Sequence, residues 1–234
     1  MTSEDSTSHH LVEGRTLTRR NIEAAIRAAT MPVRLVDCDL TEVDLSGLDL
    51  ERFEFERCTL VKADLSHLKA QGTQWRSCRA RQANMRGADL TDATIRAGDW
   101  NNSDWQDAKL PGATFDGVKL TGASFRQVKS LGLRFTDCLM ASAHLAGMSL
   151  RKADMGRCDM NGANLSECDL RDIRFSEGSS LAGAMLTKAK FEGADLRNVD
   201  LAGHGVDSLR ILAGARISLA QAASIVAMAG LKVG

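Results

Sequence analysis

From Leu35 onward, nearly every fifth residue of this chain is a large apolar side chain. The series runs Leu35, Leu40, Leu45, Leu50, Phe55, Leu60, Leu65, Ala70, Trp75, Ala80, Met85, Leu90, Ile95, Trp100, Trp105, Leu110, Phe115, Leu120, Phe125, Ser130, Phe135, Met140, Leu145, Leu150, Met155, Met160, Leu165, Leu170 and Phe175. Only Ala70, Ala80 and Ser130 interrupt it with a small or polar residue. Two positions before the large residue lies a compact one, such as Val43, Ala63, Ala88 or Ala163. The unit is therefore small, polar, large, polar, polar.

A period of five suits neither regular structure. In a helix, five residues advance about 500°, so successive large residues would step about 140° and smear around every face. In a continuous strand an odd period would flip the large residue to the opposite face each time. All of them face inward only if the chain turns once per unit. Four turns close a square coil of about twenty residues, and coils stack at roughly 4.8 Å. Residues twenty apart then become neighbours, and Phe55, Trp75, Ile95, Phe115, Phe135, Met155 and Phe175 form one bulky column. Gly47, Gly87, Gly117 and Gly162 fall two after a large residue, where the corner needs a permissive backbone. After Phe175 the phase slips by one, resuming at Leu181, Leu186, Phe191, Leu196 and Leu201, which predicts a loop or bulge at 177–180. About eight coils, a rod of roughly 40 Å, follow from this spacing.

Runs such as Ala63-Asp64-Leu65-Ser66, Ala88-Asp89-Leu90-Thr91, Ala163-Asn164-Leu165-Ser166 and Ala194-Asp195-Leu196-Arg197 resemble the A(D/N)LXX signature of the pentapeptide-repeat family. The resemblance covers nearly three quarters of the chain. It implies a β-solenoid, a right-handed quadrilateral β-helix; the handedness comes from the resemblance and not from the period. It further implies a role seen in members of the quinolone-resistance and toxin-immunity type, which resemble a DNA duplex and protect DNA gyrase or topoisomerase IV.

Both ends change composition, as caps for a solenoid require. Residues 1–14 are polar and read as a disordered tail. Residues 15–32 read as an N-terminal capping helix with apolar spacing through Leu17, Ile22, Ala25, Ile26 and Ala29, ended by Pro32. The repeat occupies 33–205. Residues 206–234 read as a C-terminal helical cap or dimerisation module, with Ser218 and Gln221 as a capping box and an uncharged helix over 219–229. Its apolar residues point several ways, which suggests burial on more than one side; family members that dimerise through such a module point to a homodimer using Ile217, Leu219, Ala222, Ile225, Val226 and Met228.

The remaining constellations have structural explanations. Cys38, Cys58, Cys78, Cys138 and Cys158 differ by multiples of twenty and share one inward column, with Cys168 in the equivalent slot on another face, so they read as core rather than metal ligands or disulfides. The five histidines share no ligand spacing, and no metal or cofactor is expected. Arg76, Arg79, Arg81, Arg86 and Arg96 wrap around several faces, and the ladder Glu56, Arg76, Arg96, Asp116 pairs its own charges. With 30 basic and 30 acidic residues the chain has no bulk pull toward nucleic acid or membrane. The face holding Asp44, Asp64, Asp104, Asp107 and Glu167 against Arg86 and Arg126 sums to −3 and is the candidate partner-binding face. No P-loop, dinucleotide fingerprint, nucleophile elbow or HExxH motif is present, and carboxylates scattered along a rod make poor acid/base pairs. The expectation is a cytoplasmic, non-enzymatic protein that binds a protein partner. The partner is either gyrase or topoisomerase IV, met by a DNA-like face, or a component of a secretion or effector system, met by a scaffold or adaptor.

Overall fold

The computed structural model describes residues 9–205, 208, 210–228 and 230–232. Residues 1–8 of the expected tail and Ala229 of the expected C-terminal helix lie outside the described residues. Short parallel strands stack into a β-solenoid of about ten turns with a helix at its C-terminal end. Seven strands form one continuous sheet on one side: β1 (His10–Glu13), β2 (Val33–Val36), β3 (Phe53–Glu56), β4 (Gln74–Arg76), β5 (Thr94–Arg96), β6 (Thr114–Asp116) and β7 (Arg134–Thr136). From β2 to β7 the register is twenty, so Phe55 sits beside Trp75, Ile95 beside Phe115, and Phe115 beside Phe135. Bulky inward side chains then stack directly, the rings of Phe55 and Trp75 lying parallel with centroids 3.9 Å apart.

The two turns beyond the eight expected come from the ends. Residues 10–13 belong to the sheet and not to a tail, because β1 satisfies its backbone on the open edge of β2 and half-buries Val12 against the core. The 23-residue register between Val12 and Leu35 accommodates an inserted helix, α1 (Arg19–Ala28). It starts at Thr18, whose amide donates to Asn21 Oδ1 at 2.8 Å while Asn21 returns its own amide to Thr18 Oγ1. Ile22 is the helix residue it buries. At the other end the solenoid runs past 205: Arg216 bridges Asp195, and the Leu196 amide donates to Arg216 O at 2.9 Å.

Most corners place the residue two after the large one at positive φ. Glycine fills some of these corners, but Asp37, Arg57, Asp107 and Lys152 adopt the same conformation at φ between 51° and 60°. The polar residue before the large one secures the turn, since Asp44, Asp64, Asp104 and Asp159 each accept the amide two residues on at 2.8–3.0 Å. This explains why Asp and Asn favour that position. The slip at 177–180 is a bulge flush with the wall rather than a projecting loop. The spacing of paired residues rises to 21 at Asp159–Ser180, and Ser179, in β10 (Ser179–Ser180), is buried with its hydroxyl donating to Ser176 O at 2.8 Å. Strands β8 (Asp154–Met155) and β9 (Arg174–Phe175) pair with each other, as β10 does with β11 (Val199–Asp200).

Two small inward slots hold hydroxyls for a reason the period does not reveal. Thr73 Oγ1 accepts the Trp75 indole N–H at 2.9 Å and donates to Ala70 O, and Ser103 Oγ does the same between Trp105 and Trp100 O at 2.7 and 2.6 Å. Trp100 follows Gly98 instead, and its Nε1 has no partner. A hydroxyl cannot be supplied there, because a Cβ on Gly98 would lie 2.3 Å from Cys78 O. Removing the Ser103 hydroxyl strands a buried indole N–H, so Ser103→Ala is expected to cost about 1–3 kcal/mol. The Ser124 hydroxyl is buried without a partner, and Ser124→Ala is expected to be neutral or stabilising. Denaturant unfolding of the two variants measures the difference.

Candidate interaction surfaces

Stacked coils turn each outward position into a column of residues about one strand spacing apart, so the rod presents flat faces whose character is set column by column. The candidate acidic face is a mosaic. Asp44 meets Arg19 of α1 at 3.2 Å, Asp104 meets Arg86 at 3.0 Å and Glu167 meets Lys188 at 3.4 Å. Arg19 also donates to Ser46 O, which ties α1 to the same face. Asp64 accepts from the Asn84 side chain at 2.9 Å, so of the five acids only Asp64 and Asp107 have no ion pair among the described residues. The sum over repeat positions missed Arg19 and Lys188 because one comes from the cap and the other from beyond the slip.

Four of the five arginines in the arginine-rich stretch are paired, with altered partners, and Arg79 donates to the Thr59 hydroxyl instead. Arg96 meets Asp116 at 3.1 Å along the expected ladder, but Arg76 reaches Glu54 at 3.4 Å rather than Glu56, which is engaged by Arg34 and Arg57. Arg81 approaches Asp99 at 3.9 Å. The cysteine column is core: all six thiols are buried and free, and Cys58, Cys138 and Cys168 donate to backbone carbonyls of the preceding coil at 3.0–3.4 Å. Burial pushes the Cys168 thiol up to about 12. Among the described residues no three His, Cys, Asp or Glu side chains come together as a metal site, and no helix is long and apolar enough to cross a membrane.

The C-terminal end exposes several apolar side chains. Helix α2 (Leu219–Met228) opens with the expected capping box, Ser218 N–H donating to Gln221 Oε1 at 2.6 Å and Gln221 N–H to Ser218 Oγ at 3.2 Å. The Gln221 Nε2 adds two bonds of 2.7 Å to Leu196 O and Val199 O, fastening the helix to the last coil. Of the residues expected at a dimer interface, Ile225 is already buried within the single chain. Ile217, Ala222 and Val226 are half-buried. Leu219 is 92% exposed, with Met228 and Leu231 also in the open. Burial on several sides is thus not achieved within one chain. A groove of 580 Å³ separates α2 from the last coil, lined by Leu201, Ala202, Ala220, Ile225 and Met228 among others.

Sequence and structure comparisons agree with this architecture. A family profile described as pentapeptide repeat region matches residues 48–125, and one described as pentapeptide repeats (8 copies) matches 134–176 and 177–203. No curated protein matches the sequence. Among solved structures, a trypsin-treated variant of QnrB1, a plasmid-mediated fluoroquinolone resistance protein, is similar with a TM-score of 0.69 at 20% identity, over 87% of this chain and 99% of that one. Full-length QnrB1 gives a TM-score of 0.54 at 19% identity, over 96% and 99%. HetL, a pentapeptide repeat protein involved in heterocyst differentiation regulation from the cyanobacterium Nostoc sp. strain PCC 7120, gives 0.53 at 21% identity, over 86% and 94%.

The corner carboxylates titrate in a way that tests their role. Hydrogen bonds from Thr41, Ser46, Arg171 and Arg197 hold Asp39, Asp44, Asp169 and Asp195 below the usual carboxylate range, Asp195 at about 2. A carboxylate depressed on folding stabilises the native state above its unfolded value of about 4, and that stability is lost as pH falls toward the folded value. Thermal midpoints are expected to be flat from about pH 5 to 8 and to fall between about pH 4 and 2. A midpoint unchanged down to pH 2 shows that the corner bonds contribute nothing.

Proposed function

We propose, since this chain belongs to the pentapeptide-repeat family, that it acts without catalysis, as a rigid rod that docks on a protein partner, and that the partner is DNA gyrase or topoisomerase IV, protected against an antibiotic or toxin. The observation that carries this reading is the overlap in fold with QnrB1 along almost the whole of both chains, at a TM-score of 0.69. A rod of stacked coils offers a long, straight surface to a cleft built for a duplex.

Charge alone does not make this rod a copy of DNA. A duplex carries a charge about every 1.7 Å of axis, whereas three of the five acids on the candidate face are matched by Arg19, Arg86 and Lys188. Docking on this face would rely on shape and on the two unmatched acids, Asp64 and Asp107. The adaptor reading is favoured by a different feature, the exposed apolar edge of α2 at Leu219 and Met228, which suits a fixed protein contact. A homodimer through this edge is compatible with both readings and places two rods end to end.

Two measurements test these proposals. Purified protein in molar excess over gyrase or topoisomerase IV is expected to inhibit supercoiling or decatenation, or to rescue the enzyme from a fluoroquinolone, and Asp64→Lys/Asp107→Lys to weaken the effect roughly tenfold; no effect on either enzyme rules the topoisomerase reading out. In light scattering the 25.3 kDa chain is expected as a dimer that Leu219→Asp dissociates. Ile225→Asp is not a test of the dimer, because it disrupts the packing of α2 on its own coil. A monomeric wild type refutes the dimer.

A further inference from the structure

Among the described residues the ladder between coils is interrupted in the middle of the rod. Rungs are intact up to Phe125, whose amide donates to His144 O at 2.8 Å, and resume at Gly156, whose amide donates to Phe135 O at 2.9 Å. Between them, β7 and β8 fall in separate sheets, and the bridges that link Lys69–Asp89 and Lys109–Lys129 have no counterpart at Lys129–Ser149. Leu110 and Gly112 donate to Lys129 O and Leu131 O, but the equivalent amides of Ser130 and Gly132 make no backbone bond to the next coil. The Ser130 hydroxyl reaches Ser149 O at 2.8 Å instead.

The cause is in the sequence. Position 130 should carry a large inward residue, as Leu110 and Leu150 do above and below it, and serine leaves the coil unfilled. A cleft of 270 Å³ opens there, lined by Ser130, Leu133, Arg134, Leu150, Lys152 and Asp154 among others. The stretch 126–133 also falls between the segments matched by the family profiles.

The lining of the cleft is mainly cationic, with Arg134, Arg151 and Lys152, and Lys129 stands beside it next to Ser130. One outward column alternates Asp49, Lys69, Asp89, Lys109 and then breaks with Lys129, so that two lysines become bridge neighbours. Lys109 is matched by Asp89 at 3.1 Å. Among the described residues Lys129, Arg134 and Lys152 have no ion pair, and Arg151 has only Asp172 at 3.8 Å. Asp154 is the single carboxylate in the lining among the described residues. Beside it Leu131 is 85% exposed.

We propose that this cleft is a docking site for an acidic, extended segment of a partner protein. Its carboxylates would replace the missing acid of the column opposite Lys129, Arg134 and Lys152, an apolar residue would cover Leu131, and its backbone would meet the orphaned amides of Ser130 and Gly132. The site stands apart from the topoisomerase reading, so each can fail alone.

Fluorescence anisotropy with a short labelled peptide alternating Glu and Leu tests it, beside the matching Gln-Leu peptide and a single-stranded oligonucleotide as competitor. The wild type is expected to bind the Glu-Leu peptide at least roughly tenfold more tightly than the Gln-Leu peptide, with affinity falling as salt rises. Lys129→Glu/Arg134→Glu, with folding checked by circular dichroism, is expected to abolish that preference. Ser130→Leu refills the coil, and is expected to raise the thermal midpoint and lose the peptide with every cation still in place. The proposal is overturned if the wild type does not distinguish the peptides, if either variant binds like the wild type, or if the oligonucleotide displaces the peptide stoichiometrically, which would make the cleft a nucleic-acid site.

Discussion

Each coil hangs on the backbone rungs that join it to the next. A coil of twenty residues has four short sides and no helix or long strand of its own, so the amides that the corners do not take must find carbonyls in the coil above or below. They do so repeatedly at 2.7–3.0 Å, as from Leu40 to Thr59 O and from Leu60 to Arg79 O. These bonds require the coils to stay in register, and register requires four corners per turn. Corners in turn force left-handed backbone at residues such as Asp37, Arg57 and Asp107, at about 1–2 kcal/mol each. The inward side chains offset that cost through close packing.

That hierarchy explains what was legible in the sequence. Inward residues have one environment each, so their identity repeats, and the period, the columns and the burial of all six cysteines could be read directly. The Asp and Asn before each large residue were legible for the same reason, since a corner bond recurs in nearly every coil. What depends on a partner elsewhere in the chain could not be read this way. Strand β1 is four residues of His-Leu-Val-Glu whose pairing is supplied by β2 twenty-three positions on. Arg19 reaches Asp44 only because α1 folds back over the first coils. The hydroxyls of Thr73 and Ser103 did carry a local signal, each standing two before a tryptophan, but a search for small residues passes over it.

Charge follows the same stacking rule with less force. Columns place side chains close enough to pair, and Arg57 with Asp37, Arg96 with Asp116 and Arg157 with Asp137 all join residues twenty apart. Exposed pairs of this kind contribute little to stability, typically under about 1 kcal/mol each. Their effect on recognition is larger, because they erase the field that a strongly charged partner would feel. The candidate acidic face is an instance: read as isolated residues it is negative, and read as a surface it is nearly balanced. The family's fold is therefore retained here with a muted electrostatic face, and the features that distinguish this rod from a generic solenoid move to its apolar end and to the defect at Ser130.

The defect at Ser130 shows why such a departure is informative. Filling one inward slot with serine instead of leucine removes a whole side chain from a close-packed core, a loss on the order of 2–5 kcal/mol by analogy with large-to-small substitutions. Ala70 and Ala80 are equally small, yet both lie in unbroken ladder, the Ala70 and Ala80 amides donating to Asp89 O and Asp99 O at 2.8 and 2.7 Å. There the large indoles of Trp75 and Trp100 are fully buried, one next along the chain and one next along the stack. Small size alone thus does not open the stack. At 130 the stack opens although Phe125 and Phe135 flank the slot, and Lys129 lies next to Lys109, where like charges oppose close approach. Two independent features of the sequence, an unfilled core slot and a broken alternation of charge, fall on adjacent residues and act on the same rungs. That coincidence separates a site from a packing flaw.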